Sequence, residues 1–422
     1  MLSTLKNVFK IGELRHKIFF TFVMFFFFRL GANIPVPGVD ANAFAQLVES
    51  NQLFGFYNII SGGSFSAFTI FAMSITPYIN ASIIMQLMTV VIPALERLSK
   101  EGEEGRKKIT QYTRYLTVVL AFVQAIGTVA AVDRALTHPG FVSYLIVAIA
   151  ITGGTTLLMW MGEQITEKGI GNGISLIIFA GIVSQIPGAL GKIWSYLTMD
   201  NSTIGIFDVL ILLVVIIAVV ACIVFVQQGQ RRIPVQYAKR VVGRRVYGGQ
   251  STHLPLRVNQ AGVIPIIFAS SILMLPEQIA YYFQAKSSIA RWFYDHFGWN
   301  DPANVIIYAL LIIGFTYFYT AIITNPSEMA EIIVKCGGFI PGISPGRPTA
   351  DYIAKVMGRI TLAGAVFLAL IAIIPNQLVG LIGFEDFKFG GTSVLIAVGV
   401  ALDTMKQIES HMLMRSYEGF IK

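Results

Sequence analysis

Six cations crowd into fifteen residues at Arg231, Arg232, Lys239, Arg240, Arg244 and Arg245. Guanidinium groups bind phosphate or carboxylate oxygens through forked, charge-assisted hydrogen bonds, whereas lysine acts as a point charge. The chemistry on offer is electrostatic recognition of a large acidic partner, with anionic lipid headgroups as the competing reading. Bond-making chemistry has no comparable set. Neither an H-E-x-x-H pattern nor a G-x-x-x-x-G-K-[ST] loop occurs, which argues against an intramembrane metalloprotease and against nucleotide hydrolysis by this chain. His16, His138, His253, His296 and His411 all lie outside the apolar segments described next, and Cys222 and Cys336 imply no disulfide framework. No metal or cofactor is expected, and the chain does not read as an enzyme. Any work it supports must be driven by a partner or by a gradient.

The elements that position these cations are set by hydropathy. Of the 422 residues, 55% are hydrophobic and 13% charged, and mean hydropathy is +0.68. That composition implies an all-α, polytopic membrane protein. Ten apolar segments are expected to span: Ile18–Ile34, Thr76–Leu95, Leu116–Val132, Val142–Met161, Ile174–Ile186, Ile206–Val226, Gly262–Ala280, Val305–Ile323, Ile360–Ile374 and Thr392–Met405. The first resembles a signal anchor, but no small-residue cleavage site follows it, so it is expected to stay. With the N-terminus inside, the cytoplasmic segments hold 4, 6, 1, 7, 4 and 3 Lys/Arg in order, against 5 in the outer loops. The formal net charge of +8 is thus concentrated on one side, and both termini are expected in the cytoplasm.

Intramembrane charge is scarce. Arg29 reads as a snorkelling or packing residue, and Asp403 falls near a helix end. A secondary transporter would need membrane-embedded carboxylates arranged for coupling, and that reading is not favoured here. The stretch from Gly55 to Thr76 is apolar but broken by Asn58, Ser61, Gly62, Gly63, Ser64 and Ser66. A short, weakly held helix acting as a removable stopper and an ordinary outer loop are both open there. Ile79 and Ile83 lie one helical turn apart, as do Ile174 and Ile178; such pairs line a dry constriction or simply pack. The run Gly169-Ile170-Gly171-Asn172-Gly173 lacks the lysine of a phosphate loop and reads as a tight turn. Gln86, Gln124 and Asn259 are polar groups able to join helices weakly. Between Asn325 and Arg359 a Gly/Pro-rich loop presents Arg347. Around Gly243, Val235–Lys239 and Val246–Tyr247 suit a two-stranded ribbon.

Taken in order, Arg29–Gly38, Pro77–Ile79, Gly162–Thr166 through Gly173, Asn259–Pro265 and Phe339–Ile343 resemble the SecY family, the central subunits of bacterial protein-conducting channels. The resemblance covers essentially the whole chain. It implies a clamshell of two pseudo-symmetric five-helix halves, residues 1–195 and 196–422. It implies a pore ring at Ile79, Ile83, Ile174, Ile178 and Ile267, with the sixth position near Ala401, where the family often carries a larger aliphatic residue. It implies a plug near 56–68, including Asn58, Ile59, Ile60, Ser61, Gly62, Gly63, Ser64 and Phe65. A lateral gate is implied between the second and third spans and the seventh and eighth, where Gln86, Gln124 and Asn259 stand, with Gln124 and Asn259 facing one another. Unfolded preproteins with their signal sequences would cross, and apolar segments would leave sideways into membrane lipids. The implied partners are SecE, SecG, the SecA motor and the ribosome, in a bacterial cytoplasmic membrane. Loops 227–257 and 325–359 would dock the cytosolic partners, although Ser344 stands where the family usually has arginine.

Overall fold

A computed structural model describes residues 11–40, 44–45, 58–59, 61–131, 136, 140–198, 205–237, 240–242, 245–247, 251–283, 287–296, 301–381 and 390–418. Ile60, Lys239, Gly243 and Arg244 lie outside the described residues. Each of the ten expected apolar segments falls on a helix. Among the described residues, six helical stretches are long and apolar enough to cross a membrane, or seven if one bent pair counts as a single span.

The first helices are α1 (Gly12–Gly31), α2 (Thr76–Val91), α3 (Pro93–Lys100), α4 (Glu103–Ala131), α5 (Phe141–Lys168), α6 (Gly173–Ser184) and α7 (Ile186–Thr198). Pro93 disfavours a helical conformation at the residue before it, and Ile92 is extended at φ −98°, ψ 112°. The second span therefore stops short of Leu95, and α3 leaves at 99° to α2.

The glycine run between α5 and α6 is a packing turn. Gly171 takes a left-handed φ of 86°. Asn172 caps α6, its side-chain oxygen accepting from the N–H groups of Ile174 at 3.1 Å and Ser175 at 3.3 Å. Gly173 lies so near α5 that a Cβ there would fall 1.9 Å from the Gly162 carbonyl oxygen. Only glycine lets the two helices cross at that distance.

The remaining elements are α8 (Ile206–Gln228), β1 (Gln230–Tyr237), β2 (Arg240–Val242), β3 (Arg245–Tyr247), β4 (Ser251–Arg257), α9 (Ile264–Phe283), α10 (Ser288–His296), α11 (Pro302–Ile323), α12 (Pro326–Lys335), β5 (Gly338–Phe339), α13 (Arg347–Leu381) and α14 (Gly391–Glu418). One packed group comprises α1, α2, α4, α5 and α6; α8, α9, α11, α13 and α14 make another. The groups meet where α9 packs on α2 and α4, and where α14 packs on α6.

A small sheet interrupts the helical pattern between α8 and α9. β1 pairs antiparallel with β4, from Gln230 opposite Arg257 to Gln236 opposite Ser251. The ribbon expected from Val235 to Tyr247 is therefore re-paired: Val246 and Tyr247 oppose Val241 and Arg240 in a separate β2–β3 hairpin. Burial decides the pairing, because Ile233, Val235, Leu254 and Leu256 share an apolar cluster with Ile333, Ile340, Ile353 and Met357. β5 completes this sheet on the other edge of β1, joining the Gly/Pro-rich loop to it.

Gly173→Ala should weaken the α5–α6 crossing by about 1–3 kcal/mol, the usual cost of overpacking. A thermal-unfolding series in detergent checks this, with Gly188→Ala, where a Cβ meets nothing within 4 Å, expected to be neutral.

Candidate functional site

Ile79 and Ile83 on α2, Ile178 on α6 and Ile267 on α9 are buried in one apolar cluster, exposed by only 4, 3, 1 and 8%. Ile174 is half-buried against them. The two packed groups of helices thus contribute to one closed plug of side chains. Ile79, Ile174, Ile178 and Ile267 also line a common cavity of about 130 Å³, room for a few waters.

Beside it opens a cavity of about 420 Å³, which shares Asn172, Ser175, Ile264 and Tyr319 with the smaller one. Its wall is polar, with Gln227, Asn259, Gln260, Asp403, Lys406, Gln407 and Ser410. Lys406 holds the wall together by donating from Nζ to the Gln227 carbonyl at 3.3 Å. The arrangement is a polar cavity that adjoins an apolar cluster.

Ala401 is half-buried and outside the apolar cluster; Val400, its neighbour on α14, is in it together with Leu395 and Ile396. One residue along a helix turns the side chain by about 100°, so the two positions face differently. The spacing of Ile396 and Val400, one turn apart, was the available signal.

Ile59 joins the isoleucine cluster, whereas Phe65 packs with Phe44 and Phe68 in a neighbouring one. Ser61 and Ser64 are buried beside them. The expected short helix is confined to Asn58 and Ile59 among the described residues; residues 61–75 form successive turns. Positive φ at Gly62 (67°), Gly63 (88°), Phe68 (42°) and Ser74 (50°) interrupts any helix there.

Among the described residues no hydrogen bond joins Gln124 to Asn259. Asn259 donates through Nδ2 to the Gly262 carbonyl at 2.9 Å, bracing the turn into α9 where Gly262 has φ 65°. Gln124 is buried, and among the described residues its Oε1 has no partner. On α9 the residue that clusters with Ala125 and Val129 of α4 is Met274, about 15 Å into the helix from its first residue Ile264 by rise per residue, whereas Asn259 precedes the helix. Gln86 lines the smaller cavity.

Arg231 and Arg232 are exposed on β1. Arg240 and Arg245 occupy the β2–β3 hairpin, opposite Tyr247 and Val242. Arg347 is exposed at the start of α13, where Thr349 Oγ1 donates to the Ser344 carbonyl at 2.9 Å and closes the loop. Because β5 pairs with β1, the loop before α13 and the basic strand belong to one surface unit. Among the described residues no group of His, Cys, Asp and Glu is arranged to hold a metal ion.

The family model described as SecY matches residues 69–405. A relative from Halalkalibacterium halodurans, named "Protein translocase subunit SecY", is 49% identical over the full length of both chains. A solved structure described as "The structure of a protein conducting channel" superposes with a TM-score of 0.68 at 22% identity, over 94% of this chain and 92% of that one. Sec61 in the canine ribosome-channel complex from the endoplasmic reticulum superposes with a TM-score of 0.64 at 20% identity, with the same coverage. At those identities the structural likeness speaks of fold.

Because no hydrogen bond joins Gln124 and Asn259 among the described residues, Gln124→Leu and Asn259→Leu should act additively. A double-mutant cycle read by thermal unfolding is expected to give a coupling below about 0.5 kcal/mol, and a larger value would mean that they meet.

Proposed function

The chain belongs to the SecY family, and from that premise we propose how its constriction works. It is a multi-pass membrane protein and a channel subunit of a protein translocase, not an enzyme. In our reading, unfolded preprotein enters the polar vestibule and passes the ring formed by Ile79, Ile83, Ile174, Ile178 and Ile267, with Val400 supplying the contact from α14. The single observation that carries this reading is the buried isoleucine cluster, shared by both helix groups, at the floor of the vestibule. Exposing four such side chains to water costs roughly 6–12 kcal/mol in all, at about 1.5–3 kcal/mol each. The empty channel therefore stays shut, and an apolar signal segment that replaces those contacts lowers the cost of opening.

Residues 1–195 and 196–422 are the two halves that part. Residues 56–68 are the plug, with Asn58, Ile59 and Ser61 to Phe65 in its described portion. α2 and α4 against α9 and α11 are the lateral gate through which apolar segments reach lipid, with Gln86 and Gln124 on its faces. Asn259 serves as the brace of the α9 turn. The contacts of α9 with α2 and α4 support this division.

The basic unit built from loops 227–257 and 325–359 receives the cytosolic partner. Arg231, Arg232, Lys239, Arg240, Arg244, Arg245 and Arg347 supply its charge, on ribosomal RNA or on the SecA motor. The Sec61 channel seen with the canine ribosome makes the first of these the natural comparison. SecE and SecG complete the complex, both termini face the cytoplasm, and the membrane is the bacterial cytoplasmic membrane; the lysine and arginine bias of the loops supports that orientation.

Reconstitution with SecA, ATP and a labelled preprotein, scored by protease protection, tests the channel reading. Preprotein is expected inside the vesicles, and its absence at normal SecA binding would overturn the reading. Replacing Ile79 and Ile178 together with glycine should raise ion leakage at least tenfold without lowering translocation. For the basic unit, changing Arg240, Arg244 and Arg245 to glutamate should abolish ribosome binding at physiological salt. The parent chain should lose affinity steeply across a salt series, by about 0.7–0.9 log units per decade for each phosphate contacted. Unaltered affinity for ribosomes and SecA alike would remove the docking role.

A further inference from the structure

Two carbonyls of the 58–66 segment are held from outside it. Arg29, in the last turn of α1, donates from Nη1 to the Gly62 carbonyl at 3.1 Å and to Ser184 Oγ at 3.3 Å. Ser184 Oγ lies 2.7 Å from the Gly181 carbonyl and 3.4 Å from that of Gly62. A hydroxyl has one hydrogen, so the shorter contact takes it and leaves the oxygen free to accept from Arg29. The next residue, Gln185, donates from Nε2 to the Asn58 carbonyl. Gly63 N–H donates to the same carbonyl at 2.9 Å, and Asn58 Oδ1 accepts from Ser66 N–H at 2.9 Å. The segment is thus folded on itself around Asn58 and tied to its surroundings at Asn58 and Gly62.

Gly62 suits such a tie. Its φ of 67° turns the backbone left-handed, and a Cβ there would fall 2.9 Å from Gly181 Cα. Glycine against glycine lets the segment's backbone lie on the end of α6, within reach of Ser184. The bonds are of a kind that reforms readily. Among the described residues Arg29 uses only Nη1, so the rest of its five donors remain for solvent or lipid headgroups when the segment leaves. A charged donor on a main-chain carbonyl is stronger than a neutral one, yet it demands no particular side chain in the moving segment.

We propose that Arg29, with Ser184 and Gln185, is the latch that keeps this segment seated beneath the constriction, so that it sets how often the idle channel opens. The proposal rests on the reading of the segment as the plug, and the experiment separates the two. Halide influx into proteoliposomes containing the full-length chain is measured without preprotein, together with export of a preprotein whose signal sequence is impaired. Arg29→Gln is expected to raise the idle leak about tenfold and to restore export of the impaired preprotein. Arg29→Lys, which keeps a charged donor, should stay within about threefold of the parent chain. The double change Ser184→Ala with Gln185→Ala should leak to an intermediate degree.

A further variant, with residues 61–66 deleted, reports on the plug itself. If the deletion leaks while Arg29→Gln and the double change match the parent chain, the latch is refuted and the plug stands. If the deletion does not leak, the plug reading fails and the latch with it. Should Arg29→Gln not accumulate in the membrane, the double change decides: a raised leak supports the latch, and a leak equal to the parent's overturns it.

Discussion

A pore that carries polypeptide must be watertight when empty, and apolar side-chain contacts between separable helices are the chief means of sealing it. Lipid tails solvate isoleucine as well as protein does, so apolar contact alone does not hold the helices of such a protein together. Water does not solvate it, and in the proposed reading the cost of wetting the cluster around Ile79, Ile83, Ile178 and Ile267 keeps the channel shut. β-branching limits isoleucine largely to one rotamer in a helix, which gives the seal a defined shape. The close crossing of α5 and α6 at Gly162 and Gly173 follows from the same need, because α6 carries Ile174 and Ile178 and must be fixed for them to converge.

Polar groups near the seal are arranged to brace turns or to line the vestibule. Asn172 caps α6 and Asn259 braces the approach to α9, so both entry points into the constriction are fixed by short-range hydrogen bonds that need no partner helix. The wider contacts between the two helix groups are dominated by apolar side chains. Separation of the groups then costs surface rather than specific bonds. A translocating chain of any sequence can repay surface, whereas it could not reproduce a particular hydrogen bond.

The basic unit has a core of its own. Ile233, Val235 and Leu256 of its sheet pack with Ile333 on α12, Ile340, and Ile353 and Met357 on α13, apart from the isoleucine cluster. The two cores are joined by α13, whose later residues Leu368, Ala369, Ile371 and Ala372 belong to the cluster at the constriction. From Arg347 to Ala372 this helix runs about 38 Å by rise per residue, between the basic sheet unit and the isoleucine cluster. In the proposed reading, a partner seated on the sheet pushes on an element that also packs on the isoleucine cluster.

Hydropathy and charge determined the large features by themselves. A twenty-residue apolar run has few alternatives to helix in a membrane, which is why every expected segment is helical, and a proline fixes its effect locally, as Pro93 does at the end of α2. The glycine run at Gly169–Gly173 was legible as a turn for the same reason. What sequence could not supply was the depth and facing of single residues. Val400 rather than Ala401 joins the apolar cluster because neighbouring helical positions differ by about 100°, and Asn259 donates to the Gly262 carbonyl rather than across to α4. The turns of residues 61–75, and the reach of Arg29 and Gln185 to backbone carbonyls within 58–62, depend on how close α1 and α6 bring their ends. Local chemistry chose the elements, and only the packing of one helix on another decided which side chains meet.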